Sequence, residues 1–282
     1  MWPIDRNYRA SSFEPGRGAS WDWGRRTYVM GIINATQDSF SGDGIDGELD
    51  KAVALAIDFE ACGTHVIDIG GASSRPGAAS TPVEIEKSRV VPVIEAVRDA
   101  VELPISIDTT WAAVADAALD AGATMVNDIS GFLRDPDLAS LVSERGVGAV
   151  AMHNQRGREH HDVINDVVTG FNETLSVCES ARIDLSKLIL DPGFGFGWSV
   201  EQNLEMLRRL PELARFELPL LIGTSRKSSI GTVLRSDLGE RLFGTAATVA
   251  QAICGGIDVI RVHDGHEMRD VVTMTDAIVR AG

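Results

Sequence analysis

The chain has few cysteines and few aromatic residues, and each shortage narrows what the protein can be. Three cysteines, Cys62, Cys178 and Cys254, are spread over 282 residues, and their spacing fits neither a disulfide framework nor a zinc site. Aromatic residues make up 6% of the sequence, whereas hydrophobic residues as a whole make up 44%, which favours a core of aliphatic side chains. A reduced, cytoplasmic setting is the simplest expectation.

The chain also lacks long apolar runs and an excess of positive charge. Its start, MWPIDRNYRA, has no apolar signal core, and no run reaches the length of a membrane span. The formal net charge of -15 argues against non-specific binding of nucleic acid or of an anionic membrane surface. We therefore expect neither of these as a partner. A small anionic substrate stays compatible with the sequence, because cations fall near predicted strand ends at Arg75, Arg226, Lys227 and Arg261.

What the sequence does contain is eight apolar, strand-like runs that each end at polar residues. In order, the runs are TYVMGIIN, HVIDIGG, PISIDT, MVNDISG, GAVAMH, KLILDPG, PLLIGTS and VIRVHDG. Buried parallel strands are near-continuous hydrophobic runs, because helices cover both of their faces. The polar tips are Asn34, Asp68, Asp108, Asn127 with Asp128, His153, Asp191, Ser225 with Arg226, and Arg261 with His263. In a (β/α)8 barrel such tips converge on the carboxyl rim, where the active site lies.

Amphipathic segments between these runs predict an alternating β/α chain. Helices are expected after Thr81-Pro82 and near 49–62, 111–121, 135–144, 163–182, 199–210, 240–255 and 267–280. We predict a single-domain α/β protein, a TIM (β/α)8 barrel over residues 27–282. Residues 1–26 would form a short N-terminal extension or hairpin that covers the closed end of the barrel. A doubly wound open sheet is the competing architecture, but the sequence shows no sign of the central reversal of strand order that such a sheet has.

Three polar motifs indicate chemistry, although each has a simpler structural explanation. DPGFGFG (191–197) lacks the spacing of a phosphate loop, so a tight turn built on glycines is the plainer interpretation. Within this motif, the Asp191 carboxylate can accept two N–H bonds from a flat heterocycle. TSRKSSIG (224–231) predicts either an anion site at a helix N-terminus or a capped helix with solvated cations. RVHDG (261–265) places Arg261 and His263 on one side of the last strand, which suits a phosphate-type ligand.

Other polar residues give weaker indications. The histidine pairs at 160–161 and 263/266 lack a third ligand at suitable spacing, so zinc is not expected. Asp108 and Asn127 offer a carboxylate and an amide inside the predicted barrel mouth. Asp128 can equally be a cap for the following helix. The sequence indicates no chemical role for Asp68.

Taken together, these motifs resemble those of the dihydropteroate synthase family. GIINATQDSFSGDG, DIGGASSRPGA, IDT, NDISG, MH, LDPGFGFG, SRKS and RVHD occur in the family's order between residues 27 and 280. The resemblance implies a TIM barrel that condenses 6-hydroxymethyl-7,8-dihydropterin diphosphate with 4-aminobenzoate. The products would be 7,8-dihydropteroate, an intermediate of folate biosynthesis, and pyrophosphate.

The resemblance also implies a role for each motif residue. The implied pterin-binding residues are Asp108, Asn127, Ile129, Met152, Asp191 and Lys227. The implied diphosphate-binding residues are Asn34, Ser74, Arg75, Arg261 and His263, and the implied aminobenzoate pocket contains Phe40, Pro76 and Ser228. The implied catalytic residues are Asp108, Lys227, Arg261 and His263. Asn34 would also ligate Mg2+, the implied cofactor, and a homodimer is the implied assembly.

The chain departs from the family pattern at Gln37, Ala72 and Ser229, where proline, glutamate and an aromatic residue are common. Gln37 and Ser229 lie near the expected aminobenzoate pocket, so we hypothesise altered sulfonamide sensitivity, as in a sulfonamide-insensitive, resistance-type synthase. Two alternative functions are a pterin-binding methyltransferase and a catalytically inactive paralogue that binds pterin. A methyltransferase would have no use for the cations of SRKS and RVHD, whereas the inactive paralogue would bind the pterin diphosphate without turnover.

Overall fold

The structure, a computed structural model, describes residues 6–35, 44–73 and 81–280. Strands β1 (Ser12–Gly16) and β2 (Ala19–Asp22) form an antiparallel hairpin. The eight strands that follow in the described chain are β3 (Tyr28–Asn34), β4 (Val66–Gly70), β5 (Ile105–Asp108), β6 (Met125–Asp128), β7 (Gly148–Met152), β8 (Leu188–Asp191), β9 (Leu221–Ile222) and β10 (Val259–Val262). They are all parallel and pair in the order β8-β7-β6-β5-β4-β3-β10-β9. A parallel bridge between Leu190 and Leu220 joins the two outer strands. The sheet therefore closes into the predicted TIM barrel, and an open doubly wound sheet is excluded.

Helices follow the barrel strands on the outside. They are α1 (Gly44–Ala61), α2 (Val83–Ala100), α3 (Ala112–Ala121), α4 (Pro136–Arg145), α5 (Val163–Ala181), α6 (Val200–Arg209), α7 (Ser228–Leu234), α8 (Leu242–Cys254) and α9 (Gly265–Val279). Most predicted bounds agree to within two residues. The prediction for α1 was wrong at its start, because apolar spacing begins only at Leu49, and Gly44 and Gly47, both weak helix formers, precede it. No helix among the described residues is both long and apolar enough to span a bilayer.

Aliphatic side chains form the layer between strands and helices. Every residue of β4 is buried, as expected of a strand covered on both faces, and so is every residue of β7. Buried branched residues such as Ile69, Ile107 and Val126 belong to one cluster that includes the inner faces of α2, α3 and α5. This apolar layer fixes the strand ends, and so it determines where the polar residues at the carboxyl rim can lie.

An aromatic cluster lies at the amino end of the barrel. Phe13, Trp21 and Trp23 of the N-terminal segment pack with Tyr28, whose ring stacks on Trp21 at a centroid distance of 4.6 Å. The same cluster includes apolar residues at the beginnings of strands, among them Met30, Val66, Met125, Leu221 and Val259. The hairpin therefore covers the end of the barrel opposite the polar rim.

Candidate active site

The centre of the carboxyl rim is a half-buried arginine held by two carboxylates. Arg261, on β10, donates from Nε to Asp68 Oδ2 at 2.6 Å and from Nη2 to Asp108 Oδ2 at 2.8 Å. The side chain of Asp68 is fully buried, and those of Arg261 and Asp108 are 21% and 18% exposed. Burial raises the pKa of Asp108, and the guanidinium of Arg261 opposes that rise. Two of the five guanidinium N–H groups are used in these contacts, so three donors have no partner among the described residues and can bind a ligand.

Asn127 lies beside this ion pair. It is the last residue but one of β6 and pairs with Asp108 in register, and its Nδ2 donates to Asp68 Oδ2 at 2.9 Å. Arg261 and Asn127 therefore share one carboxylate oxygen. The structure brings together Asp108, Asn127 and Arg261 as predicted, and it adds Asp68, for which the sequence indicated no role.

Asp191 and Lys227 lie on the opposite side of the same rim. The Oδ1 atom of Asp191, at the end of β8, accepts a hydrogen bond from the backbone N–H of Gly193 at 2.8 Å. Burial raises the pKa of Asp191 to about 6, and the bond from Gly193 opposes the rise. Burial, followed by the charge of Arg261, lowers the pKa of Lys227 to about 8, while Asp191 opposes the fall. Lys227 Nζ also lies 4.1 Å from the ring centroid of Phe196, a cation–π contact that keeps the ammonium over the site.

The turn after β8 has the conformation predicted from its glycines. Gly193, Gly195 and Gly197 all have φ between 76° and 88°, in the left-handed region. A side chain at Gly193 would also place its Cβ 1.9 Å from the carbonyl oxygen of His153. The turn interpretation of DPGFGFG is therefore confirmed, and the turn holds Asp191 and Phe196 at the rim.

His263 is held by the seventh strand tip. The hydroxyl of Ser225 accepts from the backbone N–H of His263 at 3.2 Å and lies 3.0 Å from His263 Nδ1. Burial, followed by the charges of Arg261 and Arg226, lowers the pKa of His263 to about 4. His263 is therefore a neutral hydrogen-bonding group at physiological pH. The side chain of Arg226 points in a different direction from that of Lys227, because its guanidinium forms an ion pair with Asp264.

Asn203 connects the turn after β8 to the start of α7. Its Oδ1 accepts from the backbone N–H of Gly195 at 2.6 Å, and its Nδ2 donates to Ser229 Oγ at 3.1 Å. Ser229 is buried, whereas Ser228, predicted to line the aminobenzoate pocket, is exposed at the first position of α7. Nothing in the sequence pattern singled out Asn203 or Phe196, although an asparagine inside a helix is a weak signal of a specific contact.

The remaining predicted residues fall into two groups. Met152 is buried at the end of β7, and Ile129 is half-buried and accepts from Asn154 Nδ2 through its carbonyl oxygen at 3.2 Å. Asn34 is half-buried at the end of β3. The residues predicted from the two long loops lie outside the described residues; they are Gln37, Phe40, Ser74, Arg75 and Pro76.

Asp128 does not cap the following helix. Its carboxylate accepts from the backbone N–H groups of Ser130 and Phe132 at 2.8 and 2.6 Å, and from the Ser130 hydroxyl at 2.9 Å. The N-cap of α4 is Asp135, whose side chain accepts from the N–H of Asp137. The helix-cap interpretation of Asp128 is wrong, because this carboxylate orders the turn that directly follows its own strand.

Comparison with known proteins relates this rim to a family of enzymes. A family model described as "Pterin binding enzyme" matches residues 30–263. The dihydropteroate synthase of Synechocystis is 43% identical over 268 residues, which cover 92% of this chain and 93% of that protein.

Two solved structures have the same architecture. A dihydropteroate synthase from Clostridium difficile, crystallised in the presence of pteroic acid, superimposes with a TM-score of 0.89 at 44% identity, covering 92% of this chain and 99% of that one. A dihydropteroate synthase from Xanthomonas albilineans with 4-aminobenzoic acid gives a TM-score of 0.89 at 38% identity, covering 95% and 98%.

Replacing Arg261 with methionine tests the buried ion pair. Arg261→Met leaves Asp68 and Asp108 buried without their cation, which we expect to cost about 3 kcal/mol of unfolding free energy at pH 8. Without Arg261, the pKa of Asp108 rises further above its unfolded value. A carboxyl with a raised pKa in the folded state becomes more destabilising as the pH increases towards that pKa. The cost should therefore be smaller at pH 5 than at pH 8 in urea unfolding.

Arg145→Met is the matched control, because Arg145 forms exposed ion pairs with Asp116 and Asp120 on the helical surface. Its loss should change stability by less than about 1 kcal/mol at either pH. An equal cost of Arg261→Met at pH 5 and pH 8 would contradict the role of Arg261 as the cation that compensates Asp68 and Asp108.

Proposed function

The chain belongs to the family of pterin-binding enzymes, and on that premise we propose that it is a dihydropteroate synthase. It condenses 6-hydroxymethyl-7,8-dihydropterin diphosphate with 4-aminobenzoate and releases 7,8-dihydropteroate and pyrophosphate, a step of folate biosynthesis. The observation that carries the proposal is the convergence of acceptors and cations at one barrel rim. Asp108 and Arg261 lie in direct contact there, and Asp191 and Lys227 face the same opening.

The acceptors on the rim suit the pterin ring. The amide and amino edge of a pterin presents N–H donors. Asp108, Asn127 and Asp191 can accept hydrogen bonds from them. Lys227 would donate to an acceptor of the ring, and Ile129 and Met152 would give its faces apolar contacts. The carboxylate of Asp191 stays ionised above its pKa of about 6, so it is an acceptor at neutral pH.

The donors on the rim suit the diphosphate. Arg261 has three N–H groups left after its bonds to Asp68 and Asp108, and His263, neutral at pH 7, offers a ring N–H. Ser74 and Arg75 would complete this part of the site. These groups would stabilise the negative charge that develops on the departing pyrophosphate.

Asn34 would hold Mg2+ together with oxygens of the diphosphate. No group of three His, Cys, Asp or Glu side chains that could hold a metal occurs within residues 6–35, 44–73 and 81–280. The donor set still fits Mg2+, because this ion commonly binds through one or two protein oxygens together with substrate phosphates. Bound there, Mg2+ would neutralise charge on the leaving group.

The reaction breaks the bond between the pterin methylene carbon and the diphosphate oxygen. The electron pair leaves with pyrophosphate. The positive charge left on the carbon is delocalised into the pterin, where Asp108 stabilises it. The amine of 4-aminobenzoate then attacks this carbon, and the proton that the amine loses passes to solvent. The side chains of the site bind, orient and stabilise charge, and no covalent enzyme intermediate is required.

The second substrate would bind beside the start of α7. Ser228 is exposed at its first position, and Phe196 holds the ammonium of Lys227 next to it. Phe40 and Pro76 would complete the aminobenzoate pocket. A methyltransferase of the same fold would have no use for Arg261 and His263 as diphosphate ligands, so their placement favours the synthase.

Cysteine chemistry supports a cytoplasmic location. Cys62, Cys178 and Cys254 are free thiols, which persist most readily in reducing compartments. Cell fractionation that recovers the protein outside the cytoplasm would contradict this inference.

Pyrophosphate release tests the proposed reaction. With both substrates and Mg2+, the protein should release pyrophosphate at a rate that depends on 4-aminobenzoate. Lys227→Met should lower kcat/KM by at least about a hundredfold, because it removes the half-buried ammonium that would donate to the pterin. EDTA should abolish release.

Arg226→Met is the matched control, because the neighbouring guanidinium is held by Asp264. Release without 4-aminobenzoate would refute the synthase, and binding of both substrates without turnover would identify the inactive paralogue.

We infer altered sulfonamide sensitivity from Ser229. This residue is buried and bonded to Asn203, in a position where an aromatic ring is common in the family. Ser229→Phe, alone and with Gln37→Pro, should lower the inhibition constant of sulfanilamide by about tenfold, the scale of one added apolar group in a pocket. The KM for 4-aminobenzoate in each variant is the reference against which the change in the inhibition constant is compared. Equal inhibition of wild type and both variants would remove the basis of this inference.

An exposed apolar patch supports a homodimer. Val233 and Leu234 of α7, Leu238 of the next turn, and Phe243 of α8 are between 49% and 84% exposed. Large exposed apolar patches commonly mark protein–protein interfaces. We expect a dimer in sedimentation equilibrium, and Phe243→Glu should shift it to monomer. Met274→Glu, at a position on α9 that is 63% exposed, should leave the dimer intact. A monomeric wild type at micromolar concentration would contradict the proposal.

A further inference from the structure

One carboxylate oxygen lies between two parts of the site that bind different pieces of the substrate. Asp68 Oδ2 accepts from Arg261 Nε at 2.6 Å and from Asn127 Nδ2 at 2.9 Å. Asp68 is 0% exposed and comes from β4, whereas Arg261 and Asn127 come from β10 and β6. The other oxygen, Oδ1, has no hydrogen-bond partner in the described part of the chain. Both contacts of Asp68 therefore meet at a single atom.

The contact with Asp68 determines which atom Asn127 presents to a ligand. Asp68 Oδ2 already accepts from Arg261 Nε and so acts as an acceptor, which means that the amide of Asn127 must turn its NH2 group towards Asp68. The carbonyl oxygen Oδ1 then faces away from Asp68. A pterin N–H needs an acceptor, and this orientation supplies one. The reversed amide would face the pterin N–H with a donor and leave a buried carbonyl against a carboxylate.

The same oxygen fixes the plane of the Arg261 guanidinium. With Nε bound to Asp68 and Nη2 bound to Asp108, two points of the planar group are defined. The direction of the remaining donors follows, because the guanidinium is rigid. An arginine without the Nε contact would retain its charge but lose this orientation.

We propose that Asp68 is a positioning residue that couples the pterin subsite to the diphosphate subsite through Asn127 and Arg261. This inference rests on the proposed function. It predicts that removing the carboxylate of Asp68, which contacts a residue of each subsite, weakens binding of pterin and of pyrophosphate together.

The test compares two buried aspartates that each pair with an arginine at 2.6 Å. Asp68 does so at the carboxyl rim, and Asp258 does so with Arg6 at the amino end of the same barrel. Both side chains are 0–1% exposed. Asp68→Leu and Asp258→Leu therefore remove matched buried charges, and both should lower Tm. The probes are 6-hydroxymethylpterin and inorganic pyrophosphate with Mg2+, each titrated by calorimetry.

We expect Asp68→Leu to weaken both probes by about tenfold or more, the scale of a lost hydrogen bond to a charged group. Asp258→Leu should leave both affinities unchanged. Asp68→Asn keeps an oxygen that can accept from both partners, so it should recover part of each affinity. Unchanged affinities in Asp68→Leu, or weakening of one probe only, would overturn the coupling. Failure of the wild type to bind either probe would instead refute the proposed function.

A charge exchange tests the orientation of the amide without removing the polar contact. Asn127→Asp keeps an acceptor towards the pterin but places a carboxylate against Asp68. Its pterin affinity relative to wild type should therefore fall as the pH rises from 6 to 8, because the two carboxylates can share a proton only at low pH. Adding Asp68→Asn restores a donor–acceptor pair and should recover affinity by about tenfold. A double variant no better than Asn127→Asp alone would overturn the proposal.

Discussion

The ion pair of Arg261 with Asp68 and Asp108 is the interaction on which the rest of the site depends. Removing three charged groups from water costs several kcal/mol for each ion, and only close, well-directed contacts offset that cost. The contacts are at 2.6 and 2.8 Å, and Asn127 adds a further bond to Asp68. These four residues come from β10, β4, β5 and β6, which lie with β3 in one continuous run of the sheet, so these strands must pair in this order for the charges to compensate one another. The same strand pairing therefore brings the polar residues of the rim together.

The contacts that stabilise the fold lie at one end of the barrel, and the polar groups suited to chemistry lie at the other. At the amino end, aromatic rings of the hairpin pack on the strand beginnings, and Asp258 is compensated by Arg6. At the carboxyl end, strands finish in groups that hydrogen-bond or ionise. This division allows the rim to retain unpaired donors and a lysine with a lowered pKa, because the hydrophobic contacts that hold the fold lie elsewhere.

The sequence predicted the barrel well because the signal was periodic and local. Apolar runs of strand length, helices with caps and polar strand tips are each visible within a short window, and they placed Asp108, Asn127, Asp191 and Arg261 on one rim. The role of Asp68 could not be predicted, because it depends on which side chains meet across the barrel, and Arg261 is far away in sequence. Phe196 and Asn203 were missed for the same reason: their contacts with Lys227 and Ser229 are tertiary. Asp128 was misjudged because a carboxylate after a strand can satisfy either a turn or a helix, and only the backbone path decides.

The charge balance of the rim indicates how an anionic substrate is accommodated. Asp68, Asp108 and Asp191 carry up to three negative charges, whereas Arg261 and Lys227 carry two positive charges and His263 is neutral at pH 7. These residues alone therefore do not attract a diphosphate. Under the proposed function, these carboxylates would accept hydrogen bonds from the N–H donors of the pterin ring and stabilise the carbon that becomes cationic. The charge of the diphosphate must then be offset by further cations, for which Arg75 and Mg2+ are the proposed sources. In this view, carboxylates recognise one half of the substrate and added cations the other, and Arg261 is the group that belongs to both.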